Sequence, residues 1–232
     1  MLLVTWNARK GQFTKKAPLL EPFGADITVI QEIAAPIERT KHILWFGDNK
    51  YQGVAVIANP SYKIEFLEQN PNAPKYVVPI SVKGPRSFVL FAVWTLGKQE
   101  MRYIRAAATA IDMYRNIFAS NDVVMMGDFN SNSIWDREHP PHLNHSGMVK
   151  KLEEYDMVSA YHHNRKLAHG LEPRSEHTFH LYGHEEKSYH IDYCFLPSHW
   201  ANTIDSVNIG AYDYWCKHSD HRPLSISLGN EA

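Results

Sequence analysis

Five short stretches carry side chains suited to phosphate chemistry, and each lies where an apolar run begins or stops. "LLVTW" ends in Asn7, with Arg9 two residues on. "DITVIQ" ends in Glu32. "DVVMMG" ends in Asp128, with Asn130 two further along. "YHIDYCF" carries Asp192, and Ser219, Asp220 and His221 open the final run. Any one of these alone reads as a turn former bonding its own backbone. Gathered at one edge, carboxylate and amide oxygens are the ligand set of Mg²⁺, which takes few protein ligands and keeps its waters. An imidazole beside a carboxylate, with a second Asp to orient it, suits phosphate-ester chemistry or a base and its orienting partner.

Such side chains need rigid mounts, and the chain supplies mostly strands. Apolar, β-branched runs bounded by turn residues cover Leu2–Trp6, Asp26–Glu32, His42–Phe46, Gly53–Ala58, Lys63–Glu68, Tyr76–Val82 and Ser87–Thr95. The last three follow one another as a meander. Gln12–Phe23 suits a helix. Glu100–Ser120 is Ala-rich, with Ile104, Ala108 and Ile111 on one face, and predicts a long helix leading into the strand "NDVVMMGDFN". Asn144 is a plausible cap for a helix reaching Tyr161. His162–His177 reads as loop, and Tyr189–Pro197, Thr203–Gly210 and His221–Leu228 are the closing strands. Strands outnumber helices, which predicts an α+β fold. Two packed sheets with helices on their outer sides would explain runs apolar at successive positions.

With 232 residues, 44% hydrophobic, the chain can bury one large core, and a single domain over residues 1–232 is expected. Its net charge of −1 gives no global attraction to nucleic acid, so such a partner would need a bound metal and a local basic patch. Cys194 and Cys216 lack metal-ligand spacing and are expected as free thiols. No stretch resembles a signal peptide or a membrane span, so the expected compartment is the cytoplasm. Ten of the fourteen histidines fall between His139 and His190. His177, His180 and His184 invite a zinc reading, but no helical i, i+4 pair and no Cys support it. Partly protonated histidines lining a phosphate groove are the stronger expectation.

In order and spacing, "TWN", "VIQE", "GDFNSN", "YHIDY" and "SDHRPL" resemble the endonuclease/exonuclease/phosphatase superfamily, over Asn7 to Pro223. Its members include exonuclease III-like abasic-site endonucleases, deoxyribonuclease I, sphingomyelinases and inositol polyphosphate phosphatases. "GDFNSNSIWD" and "YHIDYCFLPSHW" are similar to a compact bacterial branch. The resemblance implies a four-layer α/β/β/α sandwich of two mixed sheets. It implies Mg²⁺, with Mn²⁺ as a substitute, held by Glu32 with Asn7 and Asp220. Asp128 would orient or deprotonate the attacking water, and Asn130 would hold the water or the phosphate. His221 would contact a non-bridging oxygen, Asp192 would fix His221, and Tyr103 would lie against the phosphate. Arg9 stands where abasic-site enzymes often carry an acid, which exchanges a possible metal ligand for a phosphate contact. Trp94 and Thr95 stand where relatives commonly have His or Asn. Phe179, Tyr189 and Ile191 would wall the substrate pocket, with Phe179 and Ile191 equally suited to the core; Trp135, Asp136, His142 and His145 would shape access to it or lie on the surface. The leading expectation is a metal-dependent nuclease with a DNA-repair role. A phosphatase or phosphodiesterase for a small or lipid phosphate is the alternative, and a catalytically dead scaffold the third class.

Overall fold

The computed structural model describes residues 1–38, 40–97 and 102–229. One six-stranded sheet contains β1 (Leu2–Asn7), β2 (Ile27–Ile33), β3 (Ile43–Asn49) and β4 (Gln52–Ala58), joined at one side by two strands from the end of the chain. The other contains β5 (Lys63–Phe66), β6 (Val77–Lys83), β7 (Phe88–Trp94), β8 (Val123–Asp128), β9 (Met157–Ser159) and β12 (Asp192–Pro197). Between β9 and β12 in sequence comes a two-stranded ribbon, β10 (Phe179–His180) and β11 (Ser188–Tyr189), and after β12 come β13 (Ile204–Ile209) and β14 (Leu224–Leu228). The spatial orders are β13-β14-β1-β2-β4-β3 and β5-β6-β7-β8-β12-β9. Both sheets are mixed: β1 runs parallel to β2 and β7 parallel to β8, while their other pairings are antiparallel.

Three apolar layers hold the sandwich. Between the sheets, Leu3, Ile27 and Val56 meet Ile80, Leu90 and Met126. Outside the second sheet, Phe91, Val93 and Met125 pack on helices α2 (Ile104–Met113), α3 (Arg115–Ser120) and α4 (His145–Glu153), which follow the short α1 (Phe13–Lys16). Outside the first sheet, Val4, Trp6 and Ile30 are covered by Ala17, Leu20 and Trp215. A strand covered on both faces must be apolar at every position, and β7 is buried at every residue. The expected four-layer α+β sandwich is therefore the observed one. Among the described residues, no helix is long and apolar enough to cross a membrane.

Two helices differ from expectation. Glu100 and Met101, the start of the long helix, lie outside the described residues. The rest divides at Tyr114 (φ −103°, ψ 20°), whose ring packs 5.4 Å from Phe91 and whose hydroxyl accepts the N–H of Asn70 at 3.1 Å. Asn144 caps α4 as expected, accepting the Gly147 N–H at 2.8 Å. The helix stops at Glu153, Asp156 turns the chain at φ +53°, and residues 157–159 pair with β12 as β9. The expected loop opens with a further helix, α5 (Ala160–Arg165), capped by Ser159.

Candidate active site

Strand direction brings the predicted residues together. Parallel neighbours end at the same edge: Asn7 lies opposite Gln31 with Glu32 next, and Asp128 lies opposite Trp94. Antiparallel neighbours begin there: Asp192 lies opposite Asp128, and His221 just precedes β14. Gly127 makes this close approach possible. Its φ is +147°, and a Cβ there would lie 1.9 Å from the Val93 carbonyl oxygen, so no other residue delivers Asp128 in this register.

The side chains form one network. The Asn7 amide donates to Asp128 Oδ2 at 2.9 Å and to Glu32 Oε1 at 3.2 Å, tying the two sheets together. Gln52 donates to the other Glu32 oxygen at 3.0 Å. Asn130 donates its backbone N–H to Asp128 Oδ1 at 2.8 Å and its amide to Oδ2 at 2.9 Å. His221 Nδ1 donates to Asp192 Oδ2 at 2.9 Å, and Asp128, Asp192 and His221 each offer an atom within 4.8 Å of the others. Asp220 Oδ2 lies 3.2 Å from Arg9 Nε.

Burial sets the charges. It pushes Asp128 up to about 7; Asp192 adds to the rise, while His221 and the Asn7 and Asn130 hydrogen bonds oppose it. Burial alone would lower His221, but the charge and hydrogen bond of Asp192 outweigh it and raise the imidazole to about 9. His221 is therefore an imidazolium at neutral pH. Arg9, Glu32, Tyr103 and Asn130 all have positive φ, between 46° and 57°, a conformation that costs non-glycine residues energy and gathers at functional sites.

Beside Asn130 opens a cavity of about 270 Å³, lined by Tyr103, Trp135, Phe179, Tyr189 and Ile191. The Trp135 and Tyr189 rings lie 4.9 Å apart, and Phe179 lies 4.7 Å from the His221 ring. Tyr103, Asn130, Trp135, Phe179, Tyr189 and Ile191, all predicted to touch phosphate or substrate, thus meet at one pocket, while Arg9 stands on the Asp220 side. Ile191 is 3% exposed, so it also serves the core. Trp94 is a core residue packed on Tyr76, whereas Thr95 reaches the site: its hydroxyl donates to the Phe129 carbonyl at 2.5 Å and its own carbonyl accepts from Asn130 at 3.0 Å. Sequence reasoning missed Thr178, whose hydroxyl accepts the N–H groups of Ile191 and Asp192 at 3.1 Å each. It also missed the bridging role of Ser219, which donates to the Asn7 carbonyl at 2.7 Å and accepts the His221 N–H at 3.0 Å.

The expected protonated histidine groove is not what forms. Burial lowers His177, and holds the 1%-exposed His180 near 4, so both are neutral. His177 bonds Ser188 Oγ at 2.9 Å, and His184 is exposed 3.6 Å from Glu186, so the three do not converge on a metal either. His142 is exposed, while His145 is a core residue. His145 and His190 are each 1% exposed and burial pushes both to about 4. A histidine depressed on folding stabilises above its unfolded pKa of about 6.5, and that stability is lost as pH falls toward the folded value. Between pH 7 and pH 5 the parent should therefore lose about 2 kcal/mol more stability in urea unfolding than His190→Asn does, a comparison in which the opposite contribution of Asp128 cancels. The same loss in parent and variant would show the His190 ring to be charged in the fold.

No family model matches the chain, and no curated protein matches it. Solved structures do. The 3′ phosphatase NExo from Neisseria, as a point variant bound to a product DNA hairpin, superposes with a TM-score of 0.69 at 16% identity, covering 99% of this chain and 100% of that one. An AP endonuclease from Archaeoglobus fulgidus gives 0.68 at 15%, over 99% and 100%. The AP endonuclease LMAP from Leishmania major gives 0.72 at 12%, over 99% and 88%. The chain has the endonuclease/exonuclease/phosphatase fold. The residues at this edge fit a divalent metal by donor chemistry. Glu32 and Asp220 with the Asn7 amide oxygen form a set of hard oxygen donors, the kind suited to a divalent ion such as Mg²⁺. Glu32 is only partly buried and the Asp220 side chain is 17% exposed, so an ion from solvent can reach them.

Proposed function

We propose that the protein is a Mg²⁺-dependent phosphodiesterase that hydrolyses DNA at this strand edge. The observation that carries the reading is the juxtaposition of Asp128, held by Asn7 and Asn130, with the Asp192-bound imidazolium of His221. Mg²⁺ held by Glu32, with Asn7 and Asp220, supplies Lewis-acid neutralisation of the phosphoryl oxygens when bound, and Mn²⁺ accepts the same oxygen donors. Asp128, poised near neutrality, takes the proton of the attacking water. Asn130 holds that water or the phosphate in line. His221 uses Nδ1 on Asp192, which leaves Nε2–H to stabilise the charge developing on a non-bridging oxygen. Tyr103 and Arg9 position the phosphate from either side, and Trp135, Phe179 and Tyr189 receive a base or sugar.

The aromatic cavity favours a nucleic acid over a bare phosphate. The neighbours add support, since NExo was captured with a DNA product and two others are AP endonucleases. DNA repair in the cytoplasm is the proposed setting. The test incubates the protein and Mg²⁺ with abasic duplex, single-stranded DNA, RNA, a nucleotide monoester and sphingomyelin. We expect cleavage of DNA that stops when the metal is chelated. Turnover of only the last two substrates, or DNA cleavage that survives chelation, would overturn the reading.

A further inference from the structure

The histidine-rich region builds a second cluster away from the phosphate-handling residues. His162 lies on α5, and His169 and Glu172 lie in the loop that follows. His162 Nε2 is 2.8 Å from Glu172 Oε1, and the two side chains are only 6% and 3% exposed. The His169 ring stacks on His162 with centroids 3.6 Å apart. One donor atom from each of the three lies within 4.8 Å of the others.

We propose that His162, His169 and Glu172 form a metal site for a single ion of the Zn²⁺ class, separate from the Mg²⁺ edge. Two imidazoles and a carboxylate are borderline donors that select Zn²⁺ or Co²⁺ over Mg²⁺. Outer partners already orient them. His162 Nδ1 sits 2.8 Å from Ser159 Oγ, which leaves Nε2 to the ion. His145 Nε2 lies 2.9 Å from His169 Nδ1. Gly170 N–H and the Asn132 amide donate to Glu172 Oε1 at 3.1 and 3.2 Å. An ion would replace the proton that His162 Nε2 and Glu172 Oε1 share across 2.8 Å, and its binding would release that proton. An open cavity of about 530 Å³ reaches His162 and His169 and gives an ion access and room for a bound water. The two rings lie 21° apart, so they must rotate out of their stack to aim lone pairs at one ion.

The test uses the full chain stripped with a chelator and titrated with Co²⁺, whose tetrahedral complexes absorb visibly. We expect one equivalent to raise the absorption, Zn²⁺ to erase it, and a hundredfold excess of Mg²⁺ to leave it unchanged. Zn²⁺ should also raise the melting temperature of the stripped protein, because it binds only the folded state. His169→Ala and Glu172→Gln should each lose the absorption and the thermal shift, with circular dichroism confirming their folds. Should His169→Ala fail to fold, His169→Asn is the substitute. Glu32→Gln, at the other site, should keep both signals. No Co²⁺ absorption in the parent, or absorption that persists in His169→Ala and Glu172→Gln, would overturn the proposal.

Discussion

Asp128→Asn will lower kcat for DNA cleavage by about three orders of magnitude while leaving stability within about 2 kcal/mol of the parent. Asp128 is fully buried at the end of β8, and burial pushes its carboxyl up to about 7. Its folded pKa lies above the unfolded one, so stability is lost as pH rises from about 3.8 through about 7 and then levels off. The amide removes that loss. It also turns a donor toward the Asn7 and Asn130 amides, which now donate to Oδ2, and this costs about one hydrogen bond. The two terms have opposite signs and offset each other in part. Catalysis has no such offset, because an amide cannot take a proton from water. Steady-state kinetics beside urea unfolding check both halves. A variant within tenfold of the parent rate would remove Asp128 from the role of base.

His221→Ala should fail on both measures. Its imidazolium stands between two buried carboxylates, 2.9 Å from Asp192 Oδ2 and within 4.8 Å of an Asp128 oxygen. Truncation leaves Asp192 without its ion pair at 0% exposure, with Oδ1 already lacking a hydrogen-bond partner. Losing one member of a buried pair costs about 3–5 kcal/mol, a large part of the stability of an ordinary domain. The rate should fall about 10²- to 10³-fold through the lost charge stabilisation. The urea midpoint reports the first effect, and kcat below the unfolding transition reports the second. Retained stability would mean that Asp192 is not an uncompensated anion in the variant, and retained rate would mean that the imidazolium does not touch the phosphate. The contrast between the two variants distinguishes a residue that only does chemistry from one that also balances charge.

Much of this was legible because burial on two faces writes itself into sequence. β7 is apolar at every position for that reason, and β8 announces its end by switching from Met126 to Gly127, Asp128 and Asn130. Strand ends are also where rigid mounts stop, so Asn7, Glu32, Asp128, Asp192 and His221 stood out as a set. What stayed hidden depends on partners distant in sequence. The break at Tyr114 is made by Phe91 and Asn70. β9 is three residues long, too short for a period of two to stand out from the helical period before it. Thr178 looks like any loop threonine until β12 arrives to use its hydroxyl. The histidines misled because protonation follows burial, and burial of His180 and His190 is fixed only by the assembled fold. Glu172 joins His162 across ten residues of apparent loop, a spacing that matches no metal motif.

In the proposed reaction one divalent ion sits at the edge of the first sheet, on Glu32 of β2, Asn7 of β1 and Asp220 just before β14. Anomalous diffraction from crystals soaked in Mn²⁺ tests it most directly. A peak is expected within about 2.4 Å of a Glu32 carboxylate oxygen, with Asn7 and Asp220 around it. No peak at Glu32, at a Mn²⁺ concentration that supports DNA cleavage, would contradict it.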